Sequence, residues 1–362
     1  MKVSQFMPFL DNKEYESIKE CFDTNWFTEG PKSRKFCKRL CDLVGSKYGV
    51  LAPNGTLSLF LGLKALGIGP GDEVLVPDFT FIASATSIHM AGATPVFVDC
   101  SKDTLHIDIS KCQELTTEKT KAIMPAHMYG MSCDMDEIVT FAKKNNLKII
   151  EDAAQTIGVN WNGKPCGTFG DIGSWSFFAD KTITTIEGGF LATDDEEIYN
   201  KLLHLRNHGR VKSGTFVHPQ IGWNFRITDI QAAIGLVQLE KLPYIIERKQ
   251  EIFKIYEESL KDINQIHILK PVTGSNHVPF RFSFYCEGYR DELTEFLSNN
   301  GVEPRTFFYP MHKQPCFSFL ESKGKFTNST YAFDNGMCLP TYPSLKDEQV
   351  RYICDLVRSF FK

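Results

Sequence analysis

Short apolar runs that recur between helical segments constrain this chain more than any other feature. From Tyr48 onward they fall at Gly49 to Ala52, Glu73 to Val76, Pro95 to Val98, Ala122 to Pro125 and Leu147 to Glu151. Strands that alternate with helical stretches form βαβ units around a mostly parallel sheet, so the chain is α/β, doubly wound or barrel-like. Open sheets of this kind present ligand-contacting groups at the carboxyl ends of their strands. One run, Asn146-Leu-Lys-Ile-Ile-Glu-Asp152-Ala-Ala-Gln155, delivers an acidic side chain there.

Ahead of the strands, residues 12–44 carry apolar positions at helical spacing, interrupted by a glycine-proline turn at Trp26-Phe-Thr-Glu-Gly-Pro31. After Asp229, a helical run from Ile230 to Leu242 leads through Pro243 into a second, long polar helix, Tyr244 to Lys261. The remainder reads as a strand at Phe280 to Cys286, a helix at Asp291 to Asn300 and a closing helix at Asp347 to Phe361. At 362 residues the chain exceeds the ~250–300 at which one core divides. A large domain, 1–244, including an N-terminal segment 1–47, and a smaller α+β domain, 245–362, are expected to share a firm interface.

The formal charge of −4 gives no whole-chain attraction for nucleic acid or an anionic membrane. No run approaches ~18 consecutive apolar residues, and the first residues lack a secretory cleavage pattern. Eleven cysteines without a Cys-x-x-Cys spacing fit reduced thiols, and the expected compartment is the cytoplasm. Cys37 and Cys41, one helical turn apart, read as packing. His204 and His208 stand four apart without an evident third ligand, so no metal site is expected. Lys201, Arg206, Arg210 and Lys212 read as a solvated face or, alternatively, a site for substrate phosphates.

Lys181 lies in Ser176-Phe-Phe-Ala-Asp-Lys181-Thr-Ile-Thr-Thr-Ile-Glu187-Gly188-Gly189, on a turn between two apolar, strand-like runs. Alone it reads equally as a solvated hairpin lysine, and Asp152 alone as a helix N-cap. Together they suggest pyridoxal phosphate (PLP): a lysine for the Schiff base and a carboxylate for the pyridinium nitrogen. An amine attacks an aldehyde only when unprotonated, and the apolar neighbours Trp175, Phe177, Phe178 and Ile183 are candidates for the desolvation that lowers its pKa. Ala52-Pro-Asn54-Gly55-Thr56-Leu-Ser58 leaves a strand, turns and enters an apolar helix, so free N–H groups and the helix dipole face the turn; without a ligand it is a plain capped helix start. No P-loop or dinucleotide fingerprint is present, because Gly67-Ile-Gly69-Pro-Gly71 precedes a strand instead of following one.

The ordered motifs resemble the DegT/DnrJ/StrS-type sugar aminotransferases from about Trp26 to the C-terminus. They are Trp26 to Pro31, Asn54-Gly55-Thr56, Pro77-Asp-Phe-Thr80-Phe81, Pro125-Ala-His127-Met-Tyr129-Gly130, Glu151-Asp152-Ala-Ala-Gln155, Ser176 through Lys181, Glu187-Gly-Gly189, Gly222-Trp-Asn224-Phe-Arg226 and Phe308-Tyr309-Pro-Met-His312. The resemblance implies an aspartate-aminotransferase-like fold (PLP fold type I) with a large, mostly parallel mixed sheet and a smaller α+β C-terminal domain. It implies a homodimer with shared active sites, and an amino group moved from L-glutamate, which becomes 2-oxoglutarate, to a keto-sugar nucleotide.

Residue by residue, the resemblance makes Lys181 the Schiff-base lysine and proton shuttle, and Asp152 the partner of the pyridinium nitrogen. It puts Gln155 near the ring hydroxyl, Gly55, Thr56 and Ser176 on the phosphate, Phe81 against the ring, and Asn224 on the phosphate of the neighbouring subunit's cofactor. Tyr309 and His312 would face the sugar; His127 is either a further substrate contact or a satisfied core histidine. Three positions depart from the usual pattern: Asn54 for serine, Asp180 for Asn or Thr, and Ile186 for glycine. An inward-pointing Asp180 would favour a protonated Schiff base. Some relatives carry histidine in place of the lysine and act as dehydratases, so Lys181 favours transamination. Lys181-Thr-Ile-Thr-Thr and Arg305-Thr-Phe-Phe-Tyr-Pro look closest to the branch acting at C4 of GDP-4-keto-6-deoxymannose. The same chemistry on a small phosphorylated ketone is the alternative substrate reading, and a non-catalytic PLP-binding sensor the alternative from another class.

Overall fold

The computed structural model describes residues 1–211, 214, 216–320 and 324–362; Lys212 lies outside them. In chain order the first strands are β1 (Tyr48–Ala52), β2 (Glu73–Pro77), β3 (Thr94–Val98), β4 (Thr120–Ile123) and β5 (Lys148–Asp152). A short hairpin, β6 (Asn160–Trp161) and β7 (Lys164–Pro165), precedes β8 (Ile172–Ser176) and β9 (Gly189–Thr193). Seven of these form one sheet, ordered β1-β9-β8-β5-β4-β2-β3. Only the pairings of β9, with β8 and with β1, are antiparallel.

Helices cover both faces of this sheet, which is why its strands read as continuous apolar runs rather than alternating ones. Successive residues go to opposite layers. Val74 and Val76 pack with Leu59 to Leu63 of the helix Gly55–Ala65, whereas Leu75 packs with Ile138 and Phe141 of the helix Met135–Lys144. Val50 and Leu51 divide in the same way between two layers. The helix Gly55–Ala65 is buried on nearly every side, so it shows no polar stripe, and its N-terminus is fixed at the edge of the sheet by this enclosure.

The turn from Trp26 to Pro31 is pinned from a distance. Gly30 provides no side chain to cap the helix Pro31–Val44, and the buried Asp229 carboxylate does so instead, accepting from the N–H groups of Gly30 (2.8 Å), Lys32 (3.0 Å) and Ser33 (2.8 Å). A Cβ on Gly30 would fall within the Trp26 ring.

A second, four-stranded antiparallel sheet contains β10 (Ile266–Ile268), β11 (Phe282–Cys286), β12 (Arg305–Thr306) and β13 (Gly336–Leu339) in the order β10-β11-β13-β12. The helical runs on either side of Pro243 turn out to be one 32-residue helix, Asp229–Leu260. Proline's φ suits a helix, and its missing N–H costs one hydrogen bond, which packing along both halves offsets. Ala232, Leu236 and Leu239 join the core under the large sheet, and Ile252, Tyr256 and Leu260 join the core of the C-terminal sheet. The line drawn at 244/245 therefore falls inside a continuous element that ties the two cores together. Arg206 is not part of a solvated face: it is buried and paired with Glu29 at 2.8 Å. No helix among the described residues is long and apolar enough to cross a membrane.

Candidate active site

A cavity of about 590 Å³ opens at the carboxyl ends of β5 and β8 and is closed on its far side by Phe280, Arg281, Arg305 and Phe308 around the C-terminal sheet. Of the residues singled out from sequence, it gathers Gly55, Thr56, Phe81, His127, Asp152, Gln155, Ser176 and Lys181 along its wall.

Lys181 sits on the loop between β8 and β9. Bonds from Phe177 N to Gly188 O (2.8 Å), Thr185 N to Phe177 O (3.0 Å) and Lys181 N to Phe178 O (3.0 Å) close that loop on itself. Within it Ile186 has φ +70, a left-handed conformation that strains a β-branched residue and that glycine adopts freely. The lysine Nζ lies 4.9 Å from the centre of the Phe280 ring and 3.9 Å from Asp180 Oδ1. Burial lowers its pKa, Asp180 and Asp152 work against that, and Arg281 and Arg305 reinforce it. The apolar cover differs from the one expected. Trp175, Phe177 and Ile183 turn away into the core with Phe36 and Phe190, so only Phe178 of the four lines the cavity, and Phe280 covers the amine.

Asp152 ends β5. Its Oδ2 accepts from Ser84 Oγ at 2.7 Å and its Oδ1 from Ala154 N at 3.2 Å, while Ser84 is itself 3.0 Å from Thr80 Oγ1. These donors fix the carboxylate's direction. The preceding residue, Glu151, faces the other way and is fully engaged: it accepts from the N–H groups of Gly167 (2.7 Å), Phe169 (2.6 Å) and Gly170 (2.8 Å) and contacts His127 Nε2 at 3.1 Å. Alternation along a strand gives the two adjacent acids separate duties, one in the wall and one in the scaffold.

His127 is the satisfied core histidine. Its Nδ1 accepts from Cys133 N at 3.0 Å, so Nε2 carries the hydrogen and donates to Glu151; with both ring nitrogens used, it has none for a substrate. Gln155 is different, because only its Oε1 is taken, by Tyr129 N at 2.7 Å, and its NH2 donors are what it offers a ligand.

At the other end of the cavity Asn54 caps the helix Gly55–Ala65 by accepting from Leu57 N at 2.9 Å. The first-turn N–H groups of Gly55 and Thr56 lie beyond that cap, at the positive end of the helix dipole. Ser176 closes in beside them: a Cβ on Gly55 would stand 2.8 Å from Ser176 Cβ and 3.1 Å from its Oγ. Two backbone donors and a hydroxyl around a helix N-terminus make an anion cradle. Phe81 is 54% exposed, unusual for a phenylalanine, and presents its ring to the cavity. This cradle, aromatic face, carboxylate and covered amine fit the phosphate, ring and aldehyde of PLP.

Three expected contacts are not in this cavity within one chain. Asn224 is exposed and bridges to Asn207. Tyr309 packs its ring edge-on against Phe333, with centres 5.0 Å apart. His312 places Nδ1 2.7 Å from Asp78 Oδ2 and stacks on Phe326, which ties the segment after β12 to the end of β2. Three residues that the sequence does not single out for a site role, Ser84 behind Asp152 and Arg281 and Arg305 in the wall, also belong to the site. An arginine opening the apolar run Phe280 to Cys286 was the available signal for Arg281.

Residues 8–358 match the DegT/DnrJ/EryC1/StrS aminotransferase family. A GDP-perosamine synthase of Escherichia coli O157:H7 is 41% identical over 365 residues, covering 99% of this chain and 98% of that protein. One from Vibrio cholerae is 37% identical over 365 residues, covering 99% of each. A putative sugar aminotransferase of Streptococcus pneumoniae, solved in PMP and PLP forms, superposes with a TM-score of 0.95 at 28% identity, over 99% of this chain and 97% of the PMP form or 98% of the PLP form. The mixed seven-stranded sheet with its small antiparallel companion is the aminotransferase fold.

Proposed function

This chain belongs to the DegT/DnrJ/EryC1/StrS aminotransferase family, and from that premise we propose that it uses PLP to move an amino group from L-glutamate to C4 of a GDP-4-keto-6-deoxymannose-type sugar nucleotide. The observation that carries this reading is one cavity in which a buried lysine, an oriented aspartate and an anion cradle converge. Bound PLP supplies the electron sink that lets an amino group leave one carbon and join another.

The chain's residues supply the rest. The Gly55 and Thr56 N–H groups with Ser176 Oγ would hold the phosphate, Phe81 one face of the ring, Asp152 its nitrogen and Gln155 its hydroxyl. Lys181 Nζ, whose pKa burial lowers, would move the proton between the donor's carbon and the carbon of the cofactor. Ser84 and Thr80 keep Asp152 from rotating out of line. Arg305, half exposed at the wall, suits an anionic reactant. Asn224, outside its own cavity, would complete that of a second copy in a homodimer.

The substrate class is supported by near full-length likeness to proteins named GDP-perosamine synthases. The test is transfer of nitrogen from 15N-glutamate to a panel of keto-sugar nucleotides and small keto phosphates. Transfer to the GDP-linked 4-keto sugar is expected. Transfer confined to small keto phosphates would install the alternative substrate, and none to any acceptor would defeat the proposal.

A further inference from the structure

Asp180, one residue before the lysine, has two carboxylate oxygens in unlike situations. Its Oδ2 is bound by Arg281 Nη2 at 2.6 Å and approached by Arg305 Nη1 at 4.0 Å. Its Oδ1 is buried, accepts no hydrogen bond among the described residues, and stands 3.9 Å from Lys181 Nζ. A buried carboxylate oxygen without a donor is costly, and the lysine amine is the donor at hand. A swing of about 1 Å brings the pair to hydrogen-bonding distance.

The surrounding charges are arranged around this gap. Phe280 lies beneath both cations, its ring centre 4.9 Å from Lys181 Nζ and 4.8 Å from the Arg281 guanidinium carbon. Behind them Lys249, buried in the helix Asp229–Leu260, donates to Thr341 O at 2.8 Å and to Phe280 O at 3.4 Å. Burial, reinforced by Arg281, pushes its pKa down to about 7, so near that pH it is about half protonated. The groups that bear on Lys181 are thus Asp180 from its own loop, Asp152 from β5, Arg281 just before β11 and Arg305 from β12.

We propose that Asp180 is the acceptor for the Lys181 Nζ–H groups whenever that amine is not bonded to the cofactor, and that Arg281 sets how much of Asp180's charge reaches it. Asp180 is a positioning residue in this scheme. It rests on the reading of Lys181 as the cofactor lysine. Asp180 belongs to the large sheet's loop and Arg281 stands just before β11, so the pair bridges the two sheets.

The test is the pH dependence of acylation of Lys181 by an amine-directed reagent, followed by peptide mass analysis of the full-length protein with and without PLP. In the protein without PLP, Asp180→Asn removes a negative neighbour and should label roughly tenfold faster at pH 7, as a one-unit change in a pKa requires. Arg281→Gln leaves Asp180 uncompensated and should label more slowly, its profile shifted toward higher pH. A merely structural role would not move the two profiles in opposite directions. Unchanged profiles, or shifts of the same sign, overturn the proposal. Should Asp180→Asn fail to fold, Asp180→Ser takes its place: faster labelling supports the proposal, and equal or slower labelling overturns it. Failure of PLP to shield Lys181 in the wild type would instead remove the cofactor-lysine reading, and with it the proposal.

Discussion

Replacing Gly55 by alanine separates phosphate binding from every other contact the cofactor would make. The new Cβ would stand 2.8 Å from Ser176 Cβ, whereas carbon atoms in contact stay about 3.5–4.0 Å apart. The helix start and the end of β8 must therefore separate by roughly 0.7–1.2 Å, enough to stretch a hydrogen bond of about 2.9 Å past its useful limit of about 3.5 Å. Losing one or two bonds to a charged phosphate, at about 1.5–3 kcal/mol each, should cost about 1.5–6 kcal/mol, a weakening of roughly tenfold or more. Titration of the purified protein with PLP, followed by its absorbance, reads this directly, and titration with pyridoxal, which lacks the phosphate, is the control. Gly55→Ala should lose affinity for PLP while its affinity for pyridoxal stays near the wild-type value. Unaltered PLP affinity, or an equal loss for pyridoxal, would refute the assignment of the cradle.

Three further outcomes follow from the same geometry. Asp152→Asn keeps the side chain's size but removes the charge at the ring nitrogen, so the half-reaction with glutamate should slow by roughly 10²-fold or more, about 3 kcal/mol of transition-state stabilisation; an unchanged rate in a stopped-flow measurement would show that another group serves the nitrogen. Glu151→Gln puts an NH2 where the carboxylate accepts from backbone N–H groups and from His127, and should lower stability by about 2–4 kcal/mol in chemical denaturation; an unmoved midpoint would contradict its scaffold role. Mixed Lys181→Ala and Asn224→Ala chains should recover activity above either parent if Asn224 serves a neighbouring site, because one site of the mixed dimer then has both contributions; no recovery despite confirmed subunit exchange would exclude that service.

What the sequence revealed and what it hid have different physical origins. The parallel strands were legible because burial on both faces keeps their centres apolar, and Lys181 and Asp152 because a charged residue at the end of such a run has few reasons to be there. Gly55 and Ser176 were legible through motif resemblance, but the contact that requires glycine, Ser176 against the helix start, joins residues 121 positions apart and appears only in three dimensions. Roles that depend on a partner distant in sequence were the ones missed. Arg281 enters the site because β11 pairs with β13 and turns its first residues toward the loop bearing Asp180. Arg206 looks like a surface cation until Glu29 is found beside it. His127 carries the same side chain as a catalytic histidine, and only the hydrogen bonds to Glu151 and Cys133 show that its ring nitrogens hold structure, while His312 is tied to Asp78 through Nδ1. Pro243 signals a break, yet the helix continues because each half has its own core to pack against.

The central claim is that Lys181 carries amino transfer through PLP. Borohydride reduction of the PLP-loaded protein, before and after L-glutamate is added, followed by peptide mass analysis, addresses it at the atom concerned. The expected result is one pyridoxyl adduct, on the peptide containing Lys181, present before glutamate and lost after it. An adduct on a different lysine, or one on Lys181 that glutamate leaves undiminished, would contradict the claim.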